Sequence, residues 1–398
     1  MSDLKIIHTS DWHLGKKLFK YERIDEQRAF LNWLKAHIIT NEVDILIVAG
    51  DIFDVPSPPV SALELLYDFI FQLGTETEVE TFIITGNHDS SSLLDVPKNF
   101  FLKYRCHVYS RLDEVPNKMN YIFRKNGIRV GLKHLPYFRN HELTNIVKEE
   151  QSPSEEALEN YFKSFFGYWE NEKELDHKIL ISHHGFGKYS AAGSEHSIYL
   201  SGIDYFPLDW VNEKFDYVAL GHIHKKQLLN ENPPILYTGS PIPMRFSESN
   251  KKYVSEITLT KTTLDFQLID IPIFRELLRL KTNNENYSTD LEKLINESTQ
   301  QDLEKFLEVE VQMNEPTGNI PDTIRKKLEG TNIRLISYQP QIFAEMKKNN
   351  KSQINLNKLS IDDLFIKYYK IKFDSDTIPD GVLKSFQELI SGIDSENT

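Results

Sequence analysis

The chain has 398 residues, 40% of them apolar and 26% charged, with a formal net charge of -13; that length calls for two or three domains, each able to bury a core. The negative balance argues against a naked, sequence-independent nucleic-acid binder, though not against an enzyme whose positive charge is partly bound metal. The single cysteine, Cys106, excludes an intramolecular disulfide framework and fits a reducing compartment, and no apolar run reaches the length of a membrane span. The opening residues read as a strand rather than a signal peptide, so a soluble, cytoplasmic chain is expected.

Residues 4–10 predict a first strand, followed directly by Asp11-Trp12-His13. In extended chain, residues i and i+2 face the same side, so Asp11 and His13 can converge on one ion. Lys16, Lys17, Lys20 and Arg23 form a basic cluster ahead of a helix over 22–39, whose Phe30, Trp33, Leu34 and Ile38 recur at helical spacing. Residues 44–49 are apolar and β-branched, the pattern of a buried parallel strand, and they end abruptly in Gly50-Asp51-Ile52-Phe53-Asp54. The carboxyl edge of such a sheet is where these folds hold ligands. Ser57-Pro58-Pro59 signals a second helix that Gly74 is expected to close. The next strand, 81–85, delivers Gly86-Asn87-His88-Asp89. Strand, ligand-rich loop and helix in repeated order is the rhythm of an α/β domain.

Shorter strands are expected between 104 and 133, and a helix with an acidic first turn from Ser152 to about Tyr168. Strand 178–182 then delivers His183-His184-Gly185, ahead of a loop rich in Gly, Ser and Ala over 186–193. Strand 216–220 closes in Gly221-His222-Ile223-His224, the i, i+2 geometry again, now with two imidazoles. A tight turn, Thr238-Gly239-Ser240-Pro241-Ile242-Pro243, precedes two more strands that run to about Ile271. Beyond Pro272 histidine disappears, and alternating strands and helices predict a small α+β module over 272–345. A polar linker, 346–358, leads to a pair of amphipathic helices over 359–398, which either fold back or dock on a partner.

Each strand exit taken singly is also a common turn or core feature. Together they supply Asp11, His13, Asp51, Asn87, His183, His222 and His224, with His184 the alternative to His183. This mixed oxygen and imidazole set suits manganese, iron, zinc or cobalt and suits calcium poorly. Two cations in one site need a carboxylate between them, and Asp51 is the candidate bridge. Such a pair makes a nucleophile from water near neutral pH and clamps a phosphate. His88 is placed to protonate the leaving oxygen, with Asp54 and Asp89 as candidates to orient groups around the metals. The chemistry expected is two-metal phosphoester hydrolysis.

In order across residues 4–270, Asp11-x-His13, Gly50-Asp51-x-x-Asp54, Gly86-Asn87-His88-Asp89, the His183 segment and Gly221-His222-x-His224 resemble the five signatures of the calcineurin-like metallophosphoesterase superfamily. Asp11-Trp12-His13-Leu14-Gly15, Gly221-His222-Ile223-His224 and Gly239-Ser240-Pro241-Ile242-Pro243 resemble its SbcD/Mre11-like nuclease branch. The resemblance implies an α/β, four-layer α-β-β-α sandwich over 1–271, a capping domain over 272–345 and a C-terminal helical partner-binding segment. It implies one metal on Asp11, His13 and His224 and a second on Asn87, His183 and His222, with Asp51 shared and manganese preferred. It further implies 3'-5' exonuclease and single-strand or hairpin endonuclease action on double-stranded DNA, in repair, recombination and replication. The implied assembly is a homodimer within a heterotetramer with an SbcC-like coiled-coil ATPase, and residues 360–392 would grip the base of the coiled coil. Lys16, Lys17, Lys20, Lys225, Lys226, Arg245, Lys251 and Lys252 are candidate phosphate contacts near the metal-bearing loops. The competing expectations are a phosphatase on the same fold and a metal-free binding scaffold.

Overall fold

All five residues of the strand Ile45–Ala49 are buried, because the two sides of this strand serve two different cores. Leu46 and Val48 pack with helices on one side, while Ile45, Ile47 and Ala49 pack against a second sheet on the other. A strand covered on both faces reads as a continuous apolar run. The computed structural model describes residues 3–139, 142–143, 146, 155–169, 172–190, 205–298, 302–313, 319–342, 365 and 369.

In chain order the first elements are β1 (Leu4–Thr9), a hairpin of β2 (Lys17–Leu18) and β3 (Tyr21–Glu22), α1 (Ile24–Thr40), β4 (Ile45–Ala49), α2 (Val60–Glu76) and β5 (Glu80–Ile84). Two short helices, α3 (Ser91–Asp95) and α4 (Lys98–Leu102), precede β6 (Cys106–Tyr109), β7 (Asn120–Lys125), β8 (Ile128–Leu135) and α5 (Glu155–Gly167). Then come β9 (His177–Ser182), β10 (Tyr217–Leu220), β11 (Gln227–Glu231), β12 (Pro234–Tyr237), β13 (Lys252–Leu259) and β14 (Leu264–Ile271). One six-stranded sheet has the order β14-β13-β1-β4-β5-β6, the other β11-β12-β10-β9-β8-β7. Strands β1, β4, β5 and β6 are parallel, as are β8, β9, β10 and β12.

Apolar residues of both sheets, among them Ile6, Ile47 and Phe82 from the first and Val130, Ile181 and Ala219 from the second, form the central core. The outer face of the first sheet carries α1 and α2 through Phe30, Leu34, Leu66 and Phe69. The outer face of the second carries α5 through Leu158, Phe162, Phe165 and Phe166. The result is a four-layer α-β-β-α sandwich.

Two boundaries differ from expectation. Helix α2 starts at Val60 with Pro59 as its extended N-cap, so Ser57 and Pro58 lie before it. It also runs through Gly74 to Glu76, where Thr77 takes over the carbonyl of Leu73 with both its N–H and its hydroxyl. Gly74 is there for space: a Cβ would sit 2.5 Å from the Cβ of Tyr104. The β2–β3 hairpin and strand β11 are too short or too polar to show in periodicity.

Past residue 271 follow β15 (Leu277–Asn283), α6 (Tyr287–Glu297), β16 (Lys305–Met313), α7 (Ile320–Leu328) and β17 (Ile333–Ile342). All strands of this three-stranded sheet are parallel, so the module is β-α-β-α-β rather than the segregated α+β arrangement expected. The two helices are the crossovers that parallel neighbours require. Leu291, Ile324 and Leu328 cover one sheet face, and Arg279, Glu308 and Glu310 pair on the other. Asn250 ties the module to the sandwich by exchanging two hydrogen bonds with the backbone of Leu277, at 2.9 and 3.1 Å. Residues 344–398 form a second unit, in which the rings of Phe365 and Tyr369 lie 6.1 Å apart. The expected linker and helical pair otherwise fall outside the described residues, as do residues 191–193 of the loop after Gly185 and the start expected for α5 at Ser152. Among the described residues no helix is long and apolar enough to cross a membrane.

Candidate metal centre

Parallel strands point their carboxyl ends the same way, so the exits of β1, β4, β5, β9 and β10 meet at one edge of the sandwich. The loops there are zipped together: Asp11, His13 and Leu14 donate their N–H groups to the carbonyls of Gly50, Asp51 and Ile52 at 3.0, 3.0 and 2.8 Å. Asp11, His13, Asp51 and His222 sit at φ of 54, 45, 51 and 95°. Non-glycine residues rarely adopt this left-handed region, each at a cost of roughly 1–3 kcal/mol, and they cluster where a side chain must be aimed. The strain is held by the buried carboxylate of Asp89, which accepts from the N–H groups of Ile52, Phe53 and Gly86 at 3.1, 2.9 and 2.8 Å. Close approach sets the glycines. A Cβ on Gly86 would lie 2.1 Å from Asp51 Oδ1, and one on Gly221 would lie 1.9 Å from the Ala49 oxygen.

Seven side chains converge there in two groups. In the first, His13 Nε2 faces His224 Nε2 at 3.0 Å and Asp51 Oδ2 at 3.4 Å, and one atom of each of Asp11, His13, Asp51 and His224 fits within 4.8 Å. In the second, Asn87 Oδ1 faces His183 Nε2 at 3.2 Å and His222 Nδ1 at 3.0 Å. The same Asp51 Oδ2 stands 3.3 Å from His183 Nε2 and so belongs to both groups. Asp11 is aimed by the backbone N–H of His222, which donates to its Oδ1 at 2.9 Å, and by the Ser10 hydroxyl.

The donor chemistry fits cations. His183 donates its Nδ1–H to the Ala49 carbonyl, which leaves Nε2 an acceptor that faces the acceptor oxygen of Asn87. Acceptors aimed at one another need a positive charge between them, and a histidine whose second nitrogen is held by a carbonyl is the usual metal-ligating arrangement. Asp11 and Asp51 are 0% and 1% exposed, and among the described residues neither pairs with lysine or arginine. Buried carboxylates of this kind call for compensation. Burial, countered by the His183 charge, leaves Asp11 pushed up to about 6. Burial also opposes ionisation of Asp51, but His183 and His13 hold it well below the usual carboxylate range. Burial, then the His183 charge, pushes His222 down to about 3, and burial, then His13, pushes His224 down further. Neutral imidazoles beside carboxylates are what a divalent cation binds.

Around the donors, Asp54 Oδ1 lies 3.4 Å from His13 Nδ1 and accepts from Lys16 Nζ at 2.9 Å. His88 turns away from Asn87: its ring lies 4.8 Å from that of His13, and its Nδ1 donates to the Asp54 carbonyl at 2.7 Å. Its backbone N–H donates to Asp51 Oδ1 at 2.9 Å. Burial pushes His88 below its ordinary value, with the Asp51 charge opposing.

The structure separates the two adjacent histidines. His183 enters the centre, whereas His184 donates to the Pro136 carbonyl at 3.2 Å and packs on Phe138 in the second core. Asp89, expected to orient His88, instead clamps backbone N–H groups. Two expected surface cations are interior. Arg23 is fully buried and bonds Glu26 and the Pro243 carbonyl. Lys252 donates to Glu248, Ser240 and the His224 carbonyl at 2.7, 3.1 and 3.3 Å. No local signal marks Lys252 as a prop for His224, because the two are 28 residues apart.

Comparison with known proteins agrees with this geometry. Residues 4–226 match the family model of calcineurin-like phosphoesterases, and residues 273–373 match that of the type 5 capsule protein repressor C-terminal domain. The chain is similar to the SbcD subunit of the nuclease SbcCD of Escherichia coli K12, 27% identical over 376 residues, which is 91% of this chain and 92% of that one. Against the Bacillus subtilis protein of the same name it is 26% identical over 408 residues, 99% and 100% of the two chains. Against that of Staphylococcus epidermidis it is 28% identical over 249 residues, 62% and 64%.

Proposed function

The chain belongs to the calcineurin-like phosphoesterase family, and from that premise we propose that it is an SbcD-like, metal-dependent nuclease that hydrolyses phosphodiester bonds of DNA. The observation that carries the chemistry is the single oxygen of Asp51 that stands 3.4 and 3.3 Å from histidines of two separate donor groups. Asp11, His13 and His224 would hold one divalent cation and Asn87, His183 and His222 the other, with Asp51 common to both and manganese the expected ion. When bound, the pair supplies a water-derived nucleophile at neutral pH and neutralises phosphate charge.

The remaining work falls to side chains. His183 and His224 are fixed by the bonds at the Ala49 carbonyl and at the backbone of His224 itself. Asp54 steadies His13 through Nδ1. His88 would carry the proton for the leaving oxygen on Nε2, since Nδ1 is engaged with the Asp54 carbonyl. An arriving phosphodiester adds negative charge beside the ring and favours its protonated form.

The near full-length similarity to proteins named for the SbcCD assembly supports an SbcC-like ATPase as partner, with duplex ends and hairpins as substrates for exonuclease and endonuclease cutting. The module over 272–345 would cap the DNA groove, and the segment over 359–398 would meet the ATPase. A homodimer is part of this reading. Phe71, Val96, Phe100 and Leu102, exposed by 49, 85, 46 and 53% on α2, α4 and the turn before α4, offer it an apolar face.

The test is manganese-dependent cleavage of end-labelled duplex and hairpin DNA, with and without the ATPase partner and ATP. Cleavage by the wild type is the expected result. Turnover of phosphomonoesters with no DNA cleavage under any of these conditions would instead identify a phosphatase.

A further inference from the structure

On the His224 side of the centre lies a cavity of about 400 Å³ that the chemistry above does not use. Its wall holds four lysines, Lys225, Lys226, Lys251 and Lys252, together with Tyr253 and His224. Lys252 is engaged internally, with Glu248, Ser240 and the His224 carbonyl. Lys225 and Lys226 are exposed, and Lys251 meets Asp270 at 3.1 Å in a surface ion pair, a kind that solvent makes weak and easily exchanged. Glu248, the acidic residue of the wall, is bound to Lys252. Positive charge is therefore concentrated here on a chain whose net charge is -13, which marks a site for an anion.

The aromatic component narrows the anion. Tyr253 is half-buried on β13, and the ammoniums of Lys226 and Lys251 stand 5.5 and 5.6 Å from its ring centroid. A ring beside cations, in a groove of this size, is the combination that holds a nucleotide unit: phosphate on the lysines, base against the ring. The cavity shares His224 with the candidate metal centre, so an occupant would be a near neighbour of the phosphodiester being cut.

We propose that this cavity is a nucleotide subsite, in which an unstacked base of the substrate strand lies on Tyr253 and its phosphates lie on Lys225 and Lys226. The inference rests on the nuclease reading and deepens it. A base paired within a duplex keeps both faces stacked, so the subsite selects unpaired nucleotides, such as a hairpin loop or a frayed end, next to the scissile bond.

The test uses the full chain with manganese and two substrates, a hairpin oligonucleotide and bis(p-nitrophenyl) phosphate, together with anisotropy of a fluorescein-labelled single-stranded oligonucleotide. Tyr253→Ala should lower the ratio of hairpin to small-diester kcat/KM about tenfold, and Tyr253→Phe should restore it. Lys225→Ala/Lys226→Ala should weaken oligonucleotide binding and flatten its dependence on log salt by about 1.4. A wild-type ratio in Tyr253→Ala, or a Tyr253→Phe ratio as low as that of Tyr253→Ala, overturns the subsite. Wild type that turns over the small diester but neither binds nor cuts the oligonucleotides overturns the nuclease reading itself, and the subsite with it.

Discussion

His183 donates its Nδ1–H to the carbonyl oxygen of Ala49 at 2.7 Å, which joins the residue after β9 in one sheet to the last residue of β4 in the other. This bond crosses the central core at the edge where the donors gather. It therefore sets the imidazole's tautomer and the spacing between the sheets at once. Gly221 packs over the same oxygen, where a Cβ would intrude to 1.9 Å. Gly221→Ala should accordingly cost at least about 2 kcal/mol of stability, as overpacking at a rigid site does, and should reduce metal content. Urea denaturation and elemental analysis of the purified variant would measure both, and unchanged values would show that the sheet edge can yield.

Asp51→Asn retains size and loses the charge shared between the two donor groups. Bound manganese per chain should drop from two ions to one or fewer in titration calorimetry, with DNA cleavage reduced by at least about a hundredfold, since the pair acts as a unit. Two ions retained at wild-type affinity would remove Asp51 from the bridging position.

His88→Ala separates metal binding from proton delivery, because the bond from residue 88 to Asp51 comes from the backbone and survives the substitution. Metal content should match wild type while kcat on DNA falls roughly 10²–10⁴-fold. A bis(p-nitrophenyl) phosphate substrate, whose leaving group needs no proton, should lose much less. Equal losses on both substrates would argue for a role in shaping the centre instead.

Stability should decline on mild acidification for a reason outside the centre. Burial pushes His8 and His134 down from 6.5 to about 3. Between these values the unfolded chain binds protons that the folded chain refuses, so stability falls as pH falls through 6.5 and levels off above it. Each histidine should remove roughly 1 kcal/mol at about pH 5.5. In His134→Leu, the loss between about pH 7.5 and 5.5 should be smaller than in wild type by that amount, as read from urea midpoints. An identical loss would mean that His134 is protonated in the fold.

Much of this protein was legible in order along the chain. Strand exits rich in Asp, Asn and His announce the donors, because apolar β-branched runs and the polar groups that end them are local features. Residues 45–49 could be recognised as buried on both faces, and all seven expected donors lie where those exits converge. The choice between His183 and His184 was not local. It depends on which residue emerges toward Ala49 and which toward Pro136 and Phe138, and strand register decides that. Lys252 and Arg23 looked like surface cations because charge is visible in sequence whereas a partner such as the His224 carbonyl or Glu26 is not.

The sequence by itself determined the donor types, their attachment to strand ends and the α/β rhythm, since these follow from residue chemistry and short-range periodicity. Only the tertiary structure decided that Asp51 Oδ2 stands between His13 and His183, that Asp89 clamps three backbone N–H groups and that Lys225, Lys226 and Tyr253 share one cavity. Those relationships join residues on strands and loops far apart in the chain, and their distances are set by how two sheets pack through a common core.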